Sequence, residues 1–168
     1  GMFYRGKTVA VIGGGNTAAA DALLLSRICE KVIVIHRRDS LKATKIYHEP
    51  LMNAENVEFR WNSVVAELLH GDKITGVKLK DVNTERESII ACDGVFVSIG
   101  RKPNTALLAG QVKLDPQGYV EAGESCRTNI PGVFACGDVA DPIYRQAISA
   151  AGSGCHAAMD ARKYLSEK

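Results

Sequence analysis

The sequence lacks long apolar runs and carries little net charge. None of its 168 residues lies in a stretch of the ~20 consecutive apolar residues that a membrane-spanning helix needs, so no membrane is expected as a partner. Its 21 Lys and Arg against 19 Asp and Glu leave a net charge of +2, which gives no reason to expect a nucleic acid. With 46% hydrophobic and 24% charged residues, the composition excludes a disordered tail or a collagen and predicts a globular protein.

The cysteines are few, and no pair is spaced for chemistry. No C-x-x-C occurs, so we expect neither a metal site nor a redox dithiol in this chain. No Ser/His/Asp or Cys/His arrangement stands out, and we assign no catalytic residue. An odd number of scattered thiols is typical of packing residues in a reducing compartment, which makes the cytoplasm the expected location. The five are Cys29, Cys92, Cys126, Cys136 and Cys155.

The first 40 residues have the pattern of a βαβ unit. Residues 7–12 form a short β-branched run that ends in three glycines, and residues 31–36 form a second apolar run. Between them, residues 16–29 are rich in Ala and Leu and contain no Gly or Pro, which predicts a helix. Strand, turn, helix and strand within about 30 residues predict one right-handed parallel crossover.

The chain up to residue 100 then predicts one more helix and a series of strands. Ser40 fits the N-cap of a helix that Pro50 interrupts or restarts. A turn at residues 70–73 joins two of the later strands as an antiparallel hairpin, and residues 94–100 return to the parallel core as an apolar strand. The other predicted strands cover residues 57–61, 63–69, 74–80 and 87–91.

The turn-rich residues 101–104 predict a domain boundary. Beyond them the sequence predicts one short strand at residues 132–136 and one helix from about Tyr144 to Leu165. One strand and one helix cannot enclose a core of their own. We therefore expect residues 101–168 to be part of a domain whose other part lies elsewhere.

The glycine run after the first strand predicts a dinucleotide site. Gly13-Gly14-Gly15-Asn16-Thr17-Ala18 fits G-x-G-x-x-A between a strand and a helix. Glycines allow the tight turn and the close approach of backbone to a pyrophosphate, the small Ala18 lets helix and strand pack closely, and the helix N-terminus faces the negative charge. The alternative is a glycine-rich turn with a purely structural role.

The end of the second predicted strand indicates which nucleotide is bound. An acid about 20 residues past the glycines would hold the ribose 2′-hydroxyl of NAD. This chain has His36, Arg37 and Arg38 there, with Lys42 close behind, and guanidinium groups bind a 2′-phosphate in bidentate fashion. Asp39 is interpreted as a cap or a partner of the arginines. NADP is favoured over NAD, and the alternative is a basic, solvated turn.

A second motif follows residues 132–136. Gly137 and Asp138 end the predicted strand, and Tyr144-Arg145-Gln146-Ala147 opens the last predicted helix. An acid at such a strand end can accept hydrogen bonds from sugar or ribitol hydroxyls, while helix N–H groups can face a flavin ring. The residues alone leave a generic loop as the alternative.

These motifs, in their order and spacing, resemble the low-molecular-weight bacterial thioredoxin reductases. The resemblance runs from Phe3 to Leu165 and implies an α/β, Rossmann-like three-layer FAD/NAD(P)-binding fold with an antiparallel β-meander, followed by part of a second, FAD-type domain. Residues 1–100 would be the NADPH-binding domain, and residues 101–168 would be the C-terminal segment of an FAD-binding domain. The motifs are Gly13-Gly14-Gly15-Asn16-Thr17-Ala18, His36-Arg37-Arg38-Asp39, residues 131–138, and Tyr144-Arg145-Gln146-Ala147.

The resemblance also implies roles for single residues. Arg37 and Arg38, next to His36, would clamp the 2′-phosphate, and Lys42 stands where the family often has a third Arg. The pyrophosphate turn would consist of Gly13, Gly14, Gly15, Asn16, Thr17 and Ala18. The flavin residues of the parent protein would be Gly137, Asp138, Arg145, Gln146 and Ala147. Ala20 departs from the Glu that is common in the family's first helix.

The resemblance implies an NADPH-dependent flavoprotein that passes hydride to FAD and electrons to a dithiol and then thioredoxin or a similar small redox protein. The parent would be a homodimer. The family's N-terminal FAD half and its C-x-x-C are absent here, so we expect a C-terminal fragment that retains no FAD and is inactive alone. The alternatives are a stand-alone NADP-binding relative without redox activity, and a ferredoxin- or peroxiredoxin-linked reductase of the same class.

Overall fold

The computed structural model describes residues 1–167. Short 3₁₀ turns lie at Met2–Tyr4, Lys45–Tyr47, Ala106–Leu108 and Gly137–Val139. The strands are β1 (Thr8–Ile12), β2 (Lys31–Ile35), β3 (Val57–Arg60), β4 (Ser63–His70), β5 (Ile74–Asp81), β6 (Glu87–Ala91) and β7 (Gly94–Val97). The helices are α1 (Asn16–Ser26), α2 (His48–Met52) and α3 (Ala147–Ser166).

Four strands form a parallel sheet in the order β3-β2-β1-β7. In its register Val9 of β1 lies opposite Val32 of β2 on one side and Gly94 of β7 on the other. The chain runs outward from β1 to β2 and β3, then returns to β7 on the opposite side of β1. The strand order therefore reverses between β1 and β7, which is where open α/β sheets bind ligands, at the carboxyl ends of the strands.

The sheet is buried on both faces. On one face, Val9 and Val11 pack with buried residues of α1, and Leu51 of α2 belongs to the same cluster. On the other face, Ala10, Ile33 and Ile35 pack against Val77, Leu79 and other residues of an antiparallel sheet in the order β4-β5-β6. Because successive side chains alternate between two covered faces, β1 and β2 are apolar at every residue after the first. The predicted three-layer α/β fold with a β-meander is confirmed.

The prediction that a helix starts at Ser40 is wrong. Residues 40–44 are not helical, because the N–H groups of Lys42 and Ala43 donate to the carbonyl of Gly14, at 2.7 and 2.9 Å. The helical residues begin only with the 3₁₀ turn at Lys45–Tyr47, which leads into α2. Pro50 lies in the first turn of α2, where its missing N–H removes no helical hydrogen bond.

The described residues from 101 onward form a second compact unit, distinct from the unit of residues 1–100. The strand predicted at residues 132–136 is wrong. Within the described part of the unit, this segment makes one isolated bridge, between Arg127 and Phe134, and the chain turns at Gly132 with a φ of +83°. An apolar run becomes a regular strand only where a neighbouring strand continues the ladder, and here the pairing stops after one bridge.

The last helix begins three residues later than predicted. The Asp141 carboxylate accepts hydrogen bonds from the N–H groups of Ile143 and Tyr144, at 2.8 and 2.9 Å, and holds them in a turn. Gln146 is extended, and α3 begins at Ala147. Among residues 1–167 no helix combines the length and the hydropathy that a bilayer crossing would need.

The fold predicts a large stability difference between neighbouring residues of α2. Leu51 is completely buried in the cluster beneath α1, whereas Met52 is 53% exposed. Leu51→Ala should lower the free energy of unfolding by about 2–5 kcal/mol, because it leaves a cavity in the core. Met52→Ala should lower it by about 0.5 kcal/mol or less. Urea denaturation followed by circular dichroism measures both, and equal losses for the two variants would contradict the packing described.

Candidate dinucleotide-binding site

A cavity of about 840 Å³ lies within residues 1–100, at the carboxyl ends of β1, β2 and β7. One wall is the glycine turn and the start of α1, one is the end of β2 with His36 and Arg37, and one is residues 97–100 after β7. The cavity thus occupies the point at which the strand order reverses.

The first two glycines of the turn are required by the protein's own packing. Gly13 has a φ of +139°, and a Cβ there would collide with the carbonyl oxygen of Ser98. A Cβ on Gly14 would lie 2.5 Å from three ring atoms of His36. Neither position therefore accepts a side chain without displacing a neighbouring element.

The third glycine differs, because its free side meets no protein atom. A Cβ on Gly15 would have nothing within 4 Å, and Gly15 lines the cavity. It is also the N-cap of α1, and no side chain caps that helix end. Unpaired N–H groups and the positive end of the helix dipole therefore border a space that an anion fits. Ala18, fully buried, is the small residue at which α1 packs close to the sheet.

Asn16 holds the opposite wall in place. Its side-chain Oδ1 accepts a hydrogen bond from the N–H of Thr44 at 2.7 Å. Together with the bonds from Lys42 and Ala43 to the Gly14 carbonyl, this ties residues 42–44 to the glycine turn. Thr44 also lines the cavity, and sequence reasoning missed it because its partner lies 28 residues away.

The basic end of the cavity carries uncompensated charge. Arg37 and Lys42 line the cavity and Arg38 lies beside them, and all three side chains are exposed. Across the described residues 1–167, none of the three forms an ion pair. Among the described residues Asp39 neither pairs with the arginines nor caps the helical turns that follow; its carboxylate accepts from the Ser40 hydroxyl at 3.2 Å. Three neighbouring cations, none of them in an ion pair, favour an anionic ligand.

His36 packs beneath this basic end as a neutral ring. It lies over Gly14 and edge-on to Trp61, with 6.4 Å between ring centroids, and its buried Nε2 has no hydrogen-bond partner. Burial lowers the pKa of His36, and the charges of Arg38 and Arg37 lower it further. The neutral form of His36 is therefore favoured, and the cations at this end are Arg37, Arg38 and Lys42.

The end of β7 provides a wall that the sequence did not single out. Val97 and Ile99 are 66% and 71% exposed and line the cavity together with Ser98 and Gly100. The Ser98 hydroxyl donates to Oδ2 of Asp21 in α1 at 2.6 Å. No short-range sequence pattern reports this bond, because the two residues lie 77 positions apart.

The residues of the second motif lie in the second unit and are not gathered into one cavity. Asp138 is exposed and pairs with Arg101 at 3.6 Å. The Arg145 guanidinium lies over the ring of Tyr119 and donates to the Pro142 carbonyl, and its buried Nε has no partner. A smaller cavity of about 270 Å³ is lined by Gly137, but not by Asp138, Arg145, Gln146 or Ala147.

All five cysteines are free thiols. Cys29 follows the end of α1 and is buried, as a packing residue should be. Cys155 is exposed on α3, so the expectation that it is a packing residue is wrong. Burial raises the pKa values of Cys29, Cys92 and Cys126 above the ordinary thiol value, which disfavours the nucleophilic thiolate. Cys126 and Cys136 border the same smaller cavity.

A parallel sheet with a glycine turn at its switch point, covered by helices and a β-meander, defines an α/β protein of the FAD/NAD(P)-binding class. The chain belongs to the pyridine nucleotide-disulphide oxidoreductase family, whose model matches residues 4–154. The predicted resemblance to bacterial thioredoxin reductases is confirmed.

Two kinds of relative support that assignment. Over 98% of this chain, it is 49% identical to a thioredoxin reductase of Coxiella burnetii and 46% identical to one of Streptomyces clavuligerus. The crystal structure of thioredoxin reductase from Streptococcus pyogenes matches 99% of the chain with a TM-score of 0.80 and 35% identity. The chain covers 54%, 52% and 55% of these three proteins, so it spans about half the length of the relatives it matches.

The turn geometry predicts different effects at neighbouring glycines. Gly15→Ala should lower the free energy of unfolding by no more than about 1 kcal/mol, because its φ of −90° suits alanine and only an N-cap preference is lost. The added methyl would enter the cavity, so affinity for NADPH should fall roughly tenfold or more. Calorimetry and thermal unfolding measure the two effects.

Two other glycines serve as controls for that variant. Gly13→Ala should cost at least about 2 kcal/mol of stability, because it collides with the Ser98 carbonyl at a positive φ. Gly71→Ala, in an open hairpin turn, should leave nucleotide binding unchanged. Full NADPH affinity in a folded Gly15→Ala protein would show that no ligand approaches this turn.

Proposed function

We propose that residues 1–100 bind NADPH and that the parent protein is an NADPH-dependent thioredoxin-disulfide reductase. The observation that carries the proposal is a switch-point cavity with an uncapped helix N-terminus and three unpaired cations at one end. NADPH has a pyrophosphate and a separate 2′-phosphate, and these two features match its two anionic groups.

The order of the walls suggests how the nucleotide lies. The 2′-phosphate of the adenosine half is proposed to bind Arg37, Arg38 and Lys42. The pyrophosphate would meet the backbone of Gly15 and Thr17 at the start of α1. The nicotinamide half then extends toward residues 97–100, the remaining wall of the cavity.

The preference for NADPH over NADH rests on charge at the end of β2. An NAD site places a carboxylate there to accept from the ribose 2′-hydroxyl. The first acid after β2 is Asp39, which is bound by Ser40 and follows two arginines. A 2′-phosphate is attracted to these guanidinium groups, whereas a 2′-hydroxyl finds no acceptor among them.

The second unit is proposed to be the C-terminal segment of an FAD-binding domain. Once released from Arg101, the Asp138 carboxylate, next to Gly137, would accept hydrogen bonds from flavin hydroxyls. The flavin ring would face Arg145, whose Nε has no partner, together with Gln146 and Ala147. Bound FAD would accept hydride from the nicotinamide and pass electrons to a dithiol. We propose that this dithiol lies outside the chain, because no C-x-x-C occurs in it.

The relatives suggest the partner, because they are thioredoxin reductases. Thioredoxin is proposed as the electron acceptor, with a homodimeric, cytoplasmic parent protein. The five unpaired thiols fit the reducing location. A ferredoxin- or peroxiredoxin-linked reductase, or a stand-alone NADP-binding protein, is not favoured, because the relatives reported are thioredoxin reductases.

The phosphate clamp predicts a selective loss of affinity. The wild type should bind NADPH more tightly than NADH, and Arg37→Ala with Arg38→Ala should weaken NADPH by about 1.5–3 kcal/mol, or roughly one to two decades. NADH binding should change little. Arg27→Ala with Arg162→Ala removes the same charge from exposed positions outside the cavity and is the control. Calorimetric titration decides the matter, and equal affinity of the wild type for both nucleotides would refute the assignment.

Because the dithiol and part of the FAD site are proposed to lie outside this chain, we expect that the chain alone does not reduce disulfides. Purified chain should carry no stoichiometric flavin, and it should not reduce dithionitrobenzoate with NADPH, even with added FAD and thioredoxin. A version extended upstream through an FAD half and a C-x-x-C should turn over. Robust activity of the short chain, or a flavin absorption band after gel filtration, would contradict the proposal that the dithiol and part of the FAD site lie outside this chain.

A further inference from the structure

A buried serine and a carboxylate join the two sides of the sheet's switch point. Ser98, directly after β7, is 8% exposed, and its hydroxyl donates to Oδ2 of Asp21 in α1 at 2.6 Å. The proposed function gives neither side chain a role. A charged acceptor makes such a hydrogen bond stronger than one between neutral groups.

Ser98 is held from three directions. Its N–H donates to the carbonyl of Ile12 at the end of β1, at 2.8 Å, and its hydroxyl is bound by Asp21. Its carbonyl oxygen lies so close to Gly13 that no side chain fits between them. Contacts with β1, with α1 and with the glycine turn therefore fix the position of the backbone that follows Ser98.

The two residues that follow Ser98 have backbone groups without hydrogen bonds. Ile99 and Gly100 line the cavity, and within residues 1–167 their N–H and C=O groups make no hydrogen bond. Gly100 has a φ of +99°, which turns the chain at this point. Unpaired donors and acceptors beside an exposed apolar side chain, Ile99, suit a ligand that has a flat ring, an amide and ribose hydroxyls.

We propose that Asp21 and Ser98 are a positioning pair that fixes residues 97–100 as the binding wall for the nicotinamide half of the nucleotide. This inference rests on the proposed function, which places the adenosine and pyrophosphate groups at the other walls. The pair touches neither Arg37 nor Lys42, so it acts on one half of the ligand only. The backbone of Ile99 and Gly100 makes the contacts, and Asp21 acts through Ser98.

The test compares two ligands that differ by the nicotinamide half. Calorimetry measures the affinities of NADPH and of adenosine 2′,5′-bisphosphate for the wild type, Ser98→Ala and Asp21→Asn. Ser98→Ala should weaken NADPH roughly five- to twentyfold and leave adenosine 2′,5′-bisphosphate within twofold. Asp21→Asn keeps an acceptor oxygen and should show a smaller loss of the same kind. The double variant should lose no more than Ser98→Ala alone, because the two side chains act as one unit.

A matched control removes a serine hydrogen bond elsewhere on α1. The Ser26 hydroxyl donates to the Leu23 carbonyl at the far end of the helix, so Ser26→Ala should leave both affinities unchanged. Circular dichroism establishes that each variant is folded. If Ser98→Ala fails to fold, Asp21→Asn decides by the same comparison of ligands.

Each outcome has a defined meaning. Selective weakening of NADPH supports the positioning pair, since general loosening of the domain would weaken both ligands. Equal weakening of both ligands, or unchanged NADPH affinity in folded Ser98→Ala, overturns it. If the wild type binds NADPH but not adenosine 2′,5′-bisphosphate, or binds neither, the proposed placement of the nucleotide fails first and this inference fails with it.

Discussion

Contacts from the end of β2, from residues 42–43 and from the residue after β7 converge on the glycines that follow β1. Gly13 donates to the carbonyl of Ile35 at the end of β2, and the Gly14 carbonyl accepts from Lys42 and Ala43. The free side of Gly13 faces the Ser98 carbonyl after β7, and that of Gly14 lies under the His36 ring. A side chain at either position would separate the three cavity walls, so the shape of the site depends on this close approach.

The cavity has different chemistry at its two ends. One end has three cations that form no ion pair among the described residues, next to a histidine whose pKa is lowered by burial. The other end has exposed apolar side chains and unpaired backbone groups, held by a buried serine and its carboxylate. The uncapped start of α1 lies between them. An asymmetric ligand with a phosphorylated end, a pyrophosphate and a flat polar ring matches this sequence of environments.

Burial on both faces made the parallel sheet readable from the sequence. The central strands β1 and β2, covered by helices on one side and by the meander on the other, are apolar after their first residue. The glycine motif between β1 and α1 is local. Hairpin turns are local as well, so β4, β5 and β6 were predicted close to their bounds. The cavity residues Gly13 to Thr17 and Arg37 followed from the same short-range patterns.

Long-range hydrogen bonds account for what the sequence could not reveal. Residues after Ser40 suit a helix by composition, yet the bonds from Lys42 and Ala43 to Gly14 keep them from forming one. The Asp21–Ser98 bond spans 77 residues and the Asn16–Thr44 bond spans 28, so no spacing rule reports them. In the described part of the second unit, residues 132–136 make one isolated bridge and no strand pairs with them along their length.

The most direct measurement is an amide chemical-shift titration of the isotopically labelled chain with NADPH. If the nucleotide spans the switch point, the shifted amides should fall into three groups, at residues 13–18, 36–44 and 97–100. Amides lining the smaller cavity, at residues 122–126 and 135–153, should not move. Shifts confined to that second set, or no shifts at saturating NADPH, would contradict the account of this chain as an NADPH-binding domain.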